Sequence, residues 1–542
     1  MISSPAGIGQ TRAKKKRFNQ TTLSADYPVA FAVSKRIILA RMNESTPTMA
    51  PRCITGVAGL DDILGGGLPC NRLYLIEGHP GTGKTTFSLH FLLAGVRNGE
   101  RVLYITLSET REELLEVAMS HGWNLDGIEI LELSAMEAQL SASAQNTLFH
   151  SSEVELTQTT QVFLDTIARV QPSRVVFDSL SEFRLLAQSP LRYRRQILAL
   201  KQHFIGLNCT TLLLDDGSAE GIDPQVQSLA HGVIELEQVA PEYGSDRRRL
   251  RVLKVRGSKY RGGYHDFAIQ TGGIVVYPRL VASEHRRDYA HENVTSGLEG
   301  LDALLGGGLT RGTSTLFIGP AGTGKSTIGL KFLMQAAERG EKGVLYTFDE
   351  TIGTVMTRAD NLGFKLQAFI RKGLIEVHQI DPAEKSAGEF AFQIRHAVEE
   401  NNVRMLLIDS LNGYLHSMGG ERSLSLQMHE LVTFLNHLGV VSMMTLAPHG
   451  MLGPMRPPVD VTYLADTVLA LRYYEADGAV HKAISVIKKR TGTHEATIRE
   501  VVVGYRHITI GRPLTDFRGI FTGTPQPERP ARKSGAREDE QA

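Results

Sequence analysis

The sequence predicts an α/β protein of two tandem domains, each a wound, mostly parallel β-sheet. Three observations carry that prediction. The chain repeats itself once, short apolar runs alternate with helix-length amphipathic stretches in both repeats, and a glycine-rich loop joins a strand to a helix in each. Residues 55 to 84 read TGVAGLDDILGGGLPCNRLYLIEGHPGTGK and residues 296 to 325 read SGLEGLDALLGGGLTRGTSTLFIGPAGTGK, so that Lys84 and Lys325 lie 241 residues apart without a gap. Further on, VVFDSL around Asp178 matches LLIDSL around Asp409, 231 apart, and VLKVRG around Lys254 matches VIKKRT around Lys488, 234 apart. Order is kept while spacing drifts by ten residues, which marks a duplicated domain and not a short solenoid period. The polar stretch from Ser283 to Glu292 reads as a linker. The expected organisation is an N-terminal tail over 1–51 that is disordered or without assignable structure, a first domain over 52–283, a second over 292–515, and a disordered tail over 524–542.

Taken in order, the strands of the first repeat are expected at Leu73 to Glu77, Arg101 to Leu107, Arg174 to Phe177 and Thr210 to Leu214. Those of the second are expected at Ser314 to Gly319, Gly343 to Phe348, Met405 to Ile408 and Val440 to Thr445. Apolar runs this short, separated by helix-length segments, fit parallel strands covered on both faces.

Composition bounds the function. Over 542 residues, hydrophobic residues at 42% and charged residues at 22% exclude wholesale disorder. Lys plus Arg number 59 against 58 Asp plus Glu, so a net charge of +1 supplies no general field for nucleic acid or anionic lipid. Dense basic runs lie at Lys14–Arg17 in the tail, Arg192 to Arg195 and Arg247 to Arg249. Three cysteines, Cys53, Cys70 and Cys209, are too few for a disulfide framework. With no apolar run long enough to cross a bilayer and no segment placed like a secretory signal, the expectation is a soluble, cytoplasmic protein without membrane contact.

The chemistry lies in the glycine-rich loops. GHPGTGKT from Gly78 and GPAGTGKS from Gly319 both fit G-x-x-x-x-G-K-[ST] between a strand and a helix. Gly78, Gly81, Thr82, Gly83, Lys84, Thr85 and Thr86, and their equivalents Gly319, Gly322, Thr323, Gly324, Lys325, Ser326 and Thr327, form the candidate nucleotide loops. Glycines let backbone N–H groups face a phosphate at a helix N-terminus, and the lysine reaches the β- and γ-phosphates. A chance glycine turn is the plain alternative, and two matches at equivalent places weigh against it. Thr85 with Asp178, and Ser326 with Asp409, are the candidate Mg²⁺ ligands, although an Asp in that position also caps turns. Glu109 in LSET and Glu350 in FDET stand where a carboxylate would aim water at a γ-phosphate, or where Glu is simply favoured near a helix start. The preceding residue is Ser108 in one repeat and Asp349 in the other, so only the second has a carboxylate pair, and unequal hydrolysis rates follow. Late in each repeat come Lys254 and Arg256, then Lys488 and Arg490; a cation offered by a neighbouring subunit is one reading and an exposed basic strand the other.

On these residues, from GLDDILGGGLP and GLDALLGGGLT through both loops, FDSL, IDSL, KVRGS and KKRTG, the chain resembles the KaiC family of RecA-like P-loop NTPases over about residues 52 to 515. The resemblance implies two RecA-like ATPase domains, ATP with Mg²⁺ at subunit interfaces of a homohexamer, and contacts in trans from Lys254, Arg256, Lys488, Arg490 and His494. The counterpart of His494 is Tyr260, a departure. The family's catalytic glutamate pair stands here as Ser108-Glu109 and Asp349-Glu350. Its adjacent Ser and Thr phosphosites match Thr462 and Tyr463, which leaves Thr462 as the candidate site for a serine/threonine autokinase and puts a two-site cycle in doubt. The implied function is a regulatory or signalling ATPase with a protein partner of unknown identity. A RecA-type DNA-acting motor and an ATP-gated scaffold with little turnover stand as alternatives, nucleic acid being the less expected partner.

Overall fold

In the computed structural model, residues 51–132, 151–187, 189–217, 224–417, 421–448, 462–476, 478–521 and 526–527 are described. Both tails, and the Lys14–Arg17 run, lie outside them, apart from Pro51 and the short 526–527 pair.

The first repeat folds into a nine-stranded sheet from β1 (Leu73–Gly78), β2 (Val102–Thr106), β3 (Ile128–Glu132), β4 (Arg174–Asp178), β5 (Thr210–Asp216), β6 (Gly232–Val239), β7 (Arg247–Val255), β8 (Tyr264–Gln270) and β9 (Gly273–Tyr277). Their order across the sheet is β9-β8-β7-β6-β1-β5-β4-β2-β3. The six strands from β6 to β3 pair in parallel, and β7 to β9 extend the sheet in antiparallel register. The second repeat runs through β10 (Ser314–Ile318), β11 (Lys342–Thr347), β12 (Ile375–Gln379), β13 (Val403–Asp409), β14 (Val441–Leu446), β15 (Thr467–Ala476), β16 (Ala479–Lys489), β17 (Arg499–Gly504) and β18 (His507–Pro513). Read from its antiparallel edge, the order β18-β17-β16-β15-β10-β14-β13-β11-β12 is the same.

The predicted strands sit where the apolar runs placed them, and the reason is visible in the burial. Leu75 and Ile76 of β1 and Leu316 and Phe317 of β10 point to opposite faces of their sheets and all are fully buried, so neither face shows polar alternation. The edge strands β3 and β12 were not predicted; their exposed and half-buried positions dilute the apolar signal. Helices cover both faces: α1 (Lys84–Arg97) and α2 (Arg111–Ser120) pack on one face of the first sheet and α3 (Lys325–Glu338) and α4 (Ile352–Asn361) on one face of the second. Helices at Ser151–Val170 and Pro190–Gly206, and at Ala387–Glu399 and Glu421–His437, cover the opposite faces.

The glycine-rich segment before each loop is structural. Asp61 accepts from the backbone N and the hydroxyl of Thr55 at 3.0 and 2.9 Å, and Asp302 does the same for Ser296 at 2.7 and 2.8 Å. This ties the repeat's first turn shut beside its own helix. The two repeats also touch within the chain, where the Gly388 amide donates to Asp266 at 2.8 Å and the rings of Tyr277 and Phe392 lie 5.5 Å apart.

Candidate functional site

Each glycine-rich loop follows the C-terminal end of a central parallel strand, where α/β sheets open their clefts. Gly83 and Gly324 end the loops at φ 98° and 106°, a region costly for any residue with a Cβ. A Cβ at Gly78 would come within 2.7 Å of the Leu236 carbonyl, and one at Gly319 within 2.4 Å of the Leu471 carbonyl, so the loops can pack only as glycine. Because the N-cap of α1 and of α3 is glycine, no side chain caps either helix, and first-turn N–H groups remain for a ligand. The contrast with α2 is instructive: there Thr110 and Glu113 close a reciprocal capping box.

Lys84 curls back on its loop, donating to the carbonyls of Gly78 at 2.8 Å and His79 at 3.1 Å. Lys325 repeats this with Gly319 at 2.7 Å and Pro320 at 2.8 Å. Thr82 and Thr323 brace the loops by donating to His79 and Pro320, and Thr86 and Thr327 are buried beneath them. Burial lowers the Lys325 ammonium to about 8, against the pull of Asp409 and Asp349. Lys84 differs, since Asp216 at the end of β5 pairs with it at 2.7 Å.

The carboxylates gather around these lysines. Asp178 ends β4 and accepts from the Tyr104 hydroxyl at 2.6 Å; burial raises its carboxyl above the usual range. Asp409 ends β13 and accepts instead from Thr445 at 2.5 Å. Glu109 and Glu350 are pinned alike through their backbones, each amide donating to a strand-end threonine, Thr106 or Thr347, whose hydroxyl donates back to the same residue's carbonyl. Their side chains part company. Glu109 Oε1 accepts from Thr85 at 3.4 Å, and burial, then the charge of Asp178, push its carboxyl up to about 7. Glu350 Oε1 instead meets Arg358 Nη1 of α4 at 2.5 Å. Asp349 turns inward and accepts from Ser410. In the second repeat Lys325 and Glu350 open on a cleft of about 860 Å³, which Gly322, Ser326, Arg358 and Lys482 also line.

Among the described residues, no three or more His, Cys, Asp or Glu side chains gather as a metal site. One hydroxyl and one carboxylate per repeat, Thr85 with Asp178 and Ser326 with Asp409, suit a hard cation that takes its other ligands from phosphate and water. Among the described residues, the second oxygens of Glu109 and Glu350 are buried without a partner.

The late cations bond backbone carbonyls. Lys254 donates to the Gln227 carbonyl and Arg256 to that of Ser228 at 2.7 Å. Lys488 donates to the carbonyls of Thr462 at 3.0 Å and Ala465 at 2.7 Å, and Arg490 to that of Tyr463 and to Asp466 at 3.3 Å. Lys488, Arg490 and His494 are not among the residues lining the second cleft. Thr462 is half-buried beside exposed Tyr463, and Tyr260 donates to Leu253 at 2.9 Å. Two residues escaped the sequence reading. Asp216 left a signal, an acid ending the apolar run TTLLLDD at a strand's C-terminal end. Arg358 left only the mismatch with Val117, the residue 241 positions earlier.

Sheet order and loop geometry together define a P-loop ATPase of RecA-like architecture, present twice in one chain. A family model described as ATPase: KaiC matches residues 53–281 and again 294–514. The chain belongs to the KaiC ATPase family. It is 26% identical over 495 residues to the circadian clock oscillator protein KaiC of Acaryochloris marina, covering 90% of this chain and 93% of the relative. It is 26% identical over 481 residues to that of Thermostichus vulcanus, covering 87% and 91%. The circadian clock protein KaiC3 of Synechocystis sp. is 26% identical over 484 residues, covering 87% and 94%. Among the described residues no helix is long and apolar enough to cross a membrane.

Proposed function

We propose that the chain is a Mg-ATP-hydrolysing regulatory ATPase, working as a homohexamer, whose two repeats turn over at unequal rates. The observation that carries this reading is the placement of Glu109: a carboxyl raised to about 7 beside Thr85, next to a loop whose helix N-terminus has no side-chain cap. Such a group can take a proton from water near neutral pH. Thr85 and Asp178, and Ser326 and Asp409, would hold Mg²⁺, which when bound offsets the charge of the phosphates. Lys84 and Lys325 bind the β- and γ-phosphates, and Glu109, Glu350 and Asp349 orient water in their own repeats. Lys254, Arg256, Lys488, Arg490 and His494 act on the nucleotide of a neighbouring subunit; the absence of the last three from the lining of their own cleft supports that role. In the second repeat Thr462 is the acceptor of an autokinase reaction, since it keeps a hydroxyl at the matched position. A protein partner reads the nucleotide state. The basic run on β7 is already answered, Arg249 by Glu237 at 2.7 Å and Arg251 by Glu235, which argues against a DNA-acting motor.

Incubation with γ-labelled ATP and Mg²⁺, with mass measured by light scattering, tests this. Phosphate release with a nucleotide-dependent mass near six chains is expected. A folded chain that releases no phosphate overturns the ATPase reading; label that is absent, or that survives Thr462→Ala, overturns the autokinase.

A further inference from the structure

Glu350 lies just before α4, and Arg358 lies two turns along it, so the helix itself brings the guanidinium back to the carboxylate. The contact is 2.5 Å, between side chains only 23% and 31% exposed. Among the described residues Glu350 is the sole partner of that guanidinium, whose Nε and Nη2 are buried without one. Lys325, Lys482 and Tyr505 share the cleft, with Asp349 and Asp409 near Lys325, and neither lysine pairs with Glu350. In the first repeat the matching residue is Val117, and Glu109, with no cation partner among the described residues, accepts from the loop hydroxyl of Thr85. Glu350 makes no such bond to Ser326 among the described contacts.

Resting on the reading above, we propose that Arg358 is a positioning residue that holds Glu350 turned from the γ-phosphate, making the second repeat the site that retains ATP. For Glu350 to reach a water at the phosphate, a charge-assisted hydrogen bond must break. A bond of that kind slows the reorientation by roughly 10- to 100-fold, and its partial exposure places the effect at about 10-fold. Asp349, bound to Ser410, is then the carboxylate left on the loop side of the second repeat.

The test uses the full chain carrying Glu109→Gln, which silences the first repeat's proposed base while leaving its loop intact. Hydrolysis is measured with MgATP for this parent and for Arg358→Val and Arg358→Lys in the same background. Arg358→Val is expected to raise kcat about 10-fold with KM within about twofold, whereas Arg358→Lys stays near the slow parental rate because the cation is restored. Adding Glu350→Gln to Arg358→Val should erase the gain. An Arg358→Val chain that binds MgATP as the parent does yet hydrolyses it no faster overturns the proposal, as does a gain that persists with Glu350→Gln. Should Arg358→Val fail to fold, Arg358→Gln, neutral and similar in length, is read in the same way. Failure of the parent reading shows separately, as an unmutated chain that releases no phosphate, and it takes this proposal with it.

Discussion

In the first repeat the loop lysine is already answered by a carboxylate, and Glu109 meets no cation among the described residues; in the second the arrangement is inverted. Lys84 pairs with Asp216, whereas no carboxylate lies within ion-pair distance of Lys325 among the described residues. Glu109 faces Thr85, whereas Glu350 faces Arg358. The sheets beneath are the same in order and register. A duplicated scaffold thus fixes where the loop, the strand-end aspartate and the glutamate stand, while three or four neighbouring charges decide how each repeat uses them. Removing the two lysines one at a time should have the largest effect. Lys84→Ala and Lys325→Ala should each reduce turnover in their own repeat by roughly 100-fold or more. If the inverted charges matter, Lys84→Ala removes most of the phosphate release and Lys325→Ala a minor share; equal shares would end the argument from asymmetry.

Acid should separate the repeats next. His90, His231 and His265 each accept a hydrogen bond from a backbone amide, those of Ile274, Leu73 and Arg279, and burial pushes each imidazole down to about 4. All three lie in the first repeat. Where His231 takes the Leu73 amide, Asp466 takes that of Ser314 at 3.0 Å, and Lys331 stands 241 residues after His90. A histidine with a depressed folded-state pKa contributes stability that is complete above its ordinary value near 6.5 and lost as pH falls toward 4. Each pH unit of that gap is worth about 1.4 kcal/mol, so His90 and His265, both buried, should cost the first repeat a few kcal/mol between pH 6.5 and 4. The single tryptophan, Trp123, meets the His90 ring edge to face with the centroids 4.5 Å apart and so reports this repeat by fluorescence. Its transition should come at higher pH than the loss of total helix; coincident transitions would show the two repeats unfolding as one.

Glu109 gives the first repeat a pH dependence of the opposite sign. Its raised carboxyl is a cost that is absent below about 4.5, grows as pH rises, and is complete above about 7, because the unfolded chain gives up its proton first. In nucleotide- and metal-free protein, Glu109→Gln should therefore stabilise the first repeat at pH 8 by about 2 kcal/mol, part of the burial cost being screened by water, and by nothing at pH 4. Denaturant titrations at the two pH values check it. Equal effects at both would mean that packing and not charge sets the cost.

How far all this was legible in the sequence depends on what each residue answers to. The central strands and both loops were readable because continuous apolar runs and glycines obey local rules: Gly83 needs its φ, and Leu75 and Ile76 need cover on both faces. The edge strand Ile128–Glu132 was not, since at a sheet's margin burial is partial and no alternation survives. The placement of Thr85, Asp178 and Glu109 around Lys84 depends on strands far apart in the chain, and there the duplication stood in for the missing distances. Arg358 depends on a helix turn carrying it back to Glu350, a contact that no motif encodes and that only the unmatched Val117 hints at.

The smallest effect concerns Asp216. Lys84 is nearly buried at 8% side-chain exposure, but Asp216 is 37% exposed, so their 2.7 Å pair is limited to roughly 0.2–1 kcal/mol by solvent. A triphosphate entering the first loop must share Lys84 with that carboxylate or displace it. The strand register β1–β5 against β10–β14 puts Ala447 in the same place of the second repeat, so Lys325 meets no such competitor. Asp216→Ala should then tighten ATP binding by the first repeat by roughly two- to fivefold, measured by calorimetry in a Glu109→Gln, Lys325→Ala background that slows turnover in both repeats and weakens the second site. Weaker binding would redraw the comparison: it would place Asp216 among the groups that order magnesium or water around the phosphates, giving the first repeat, on a neighbouring strand, the second carboxylate that Ser108 denies it.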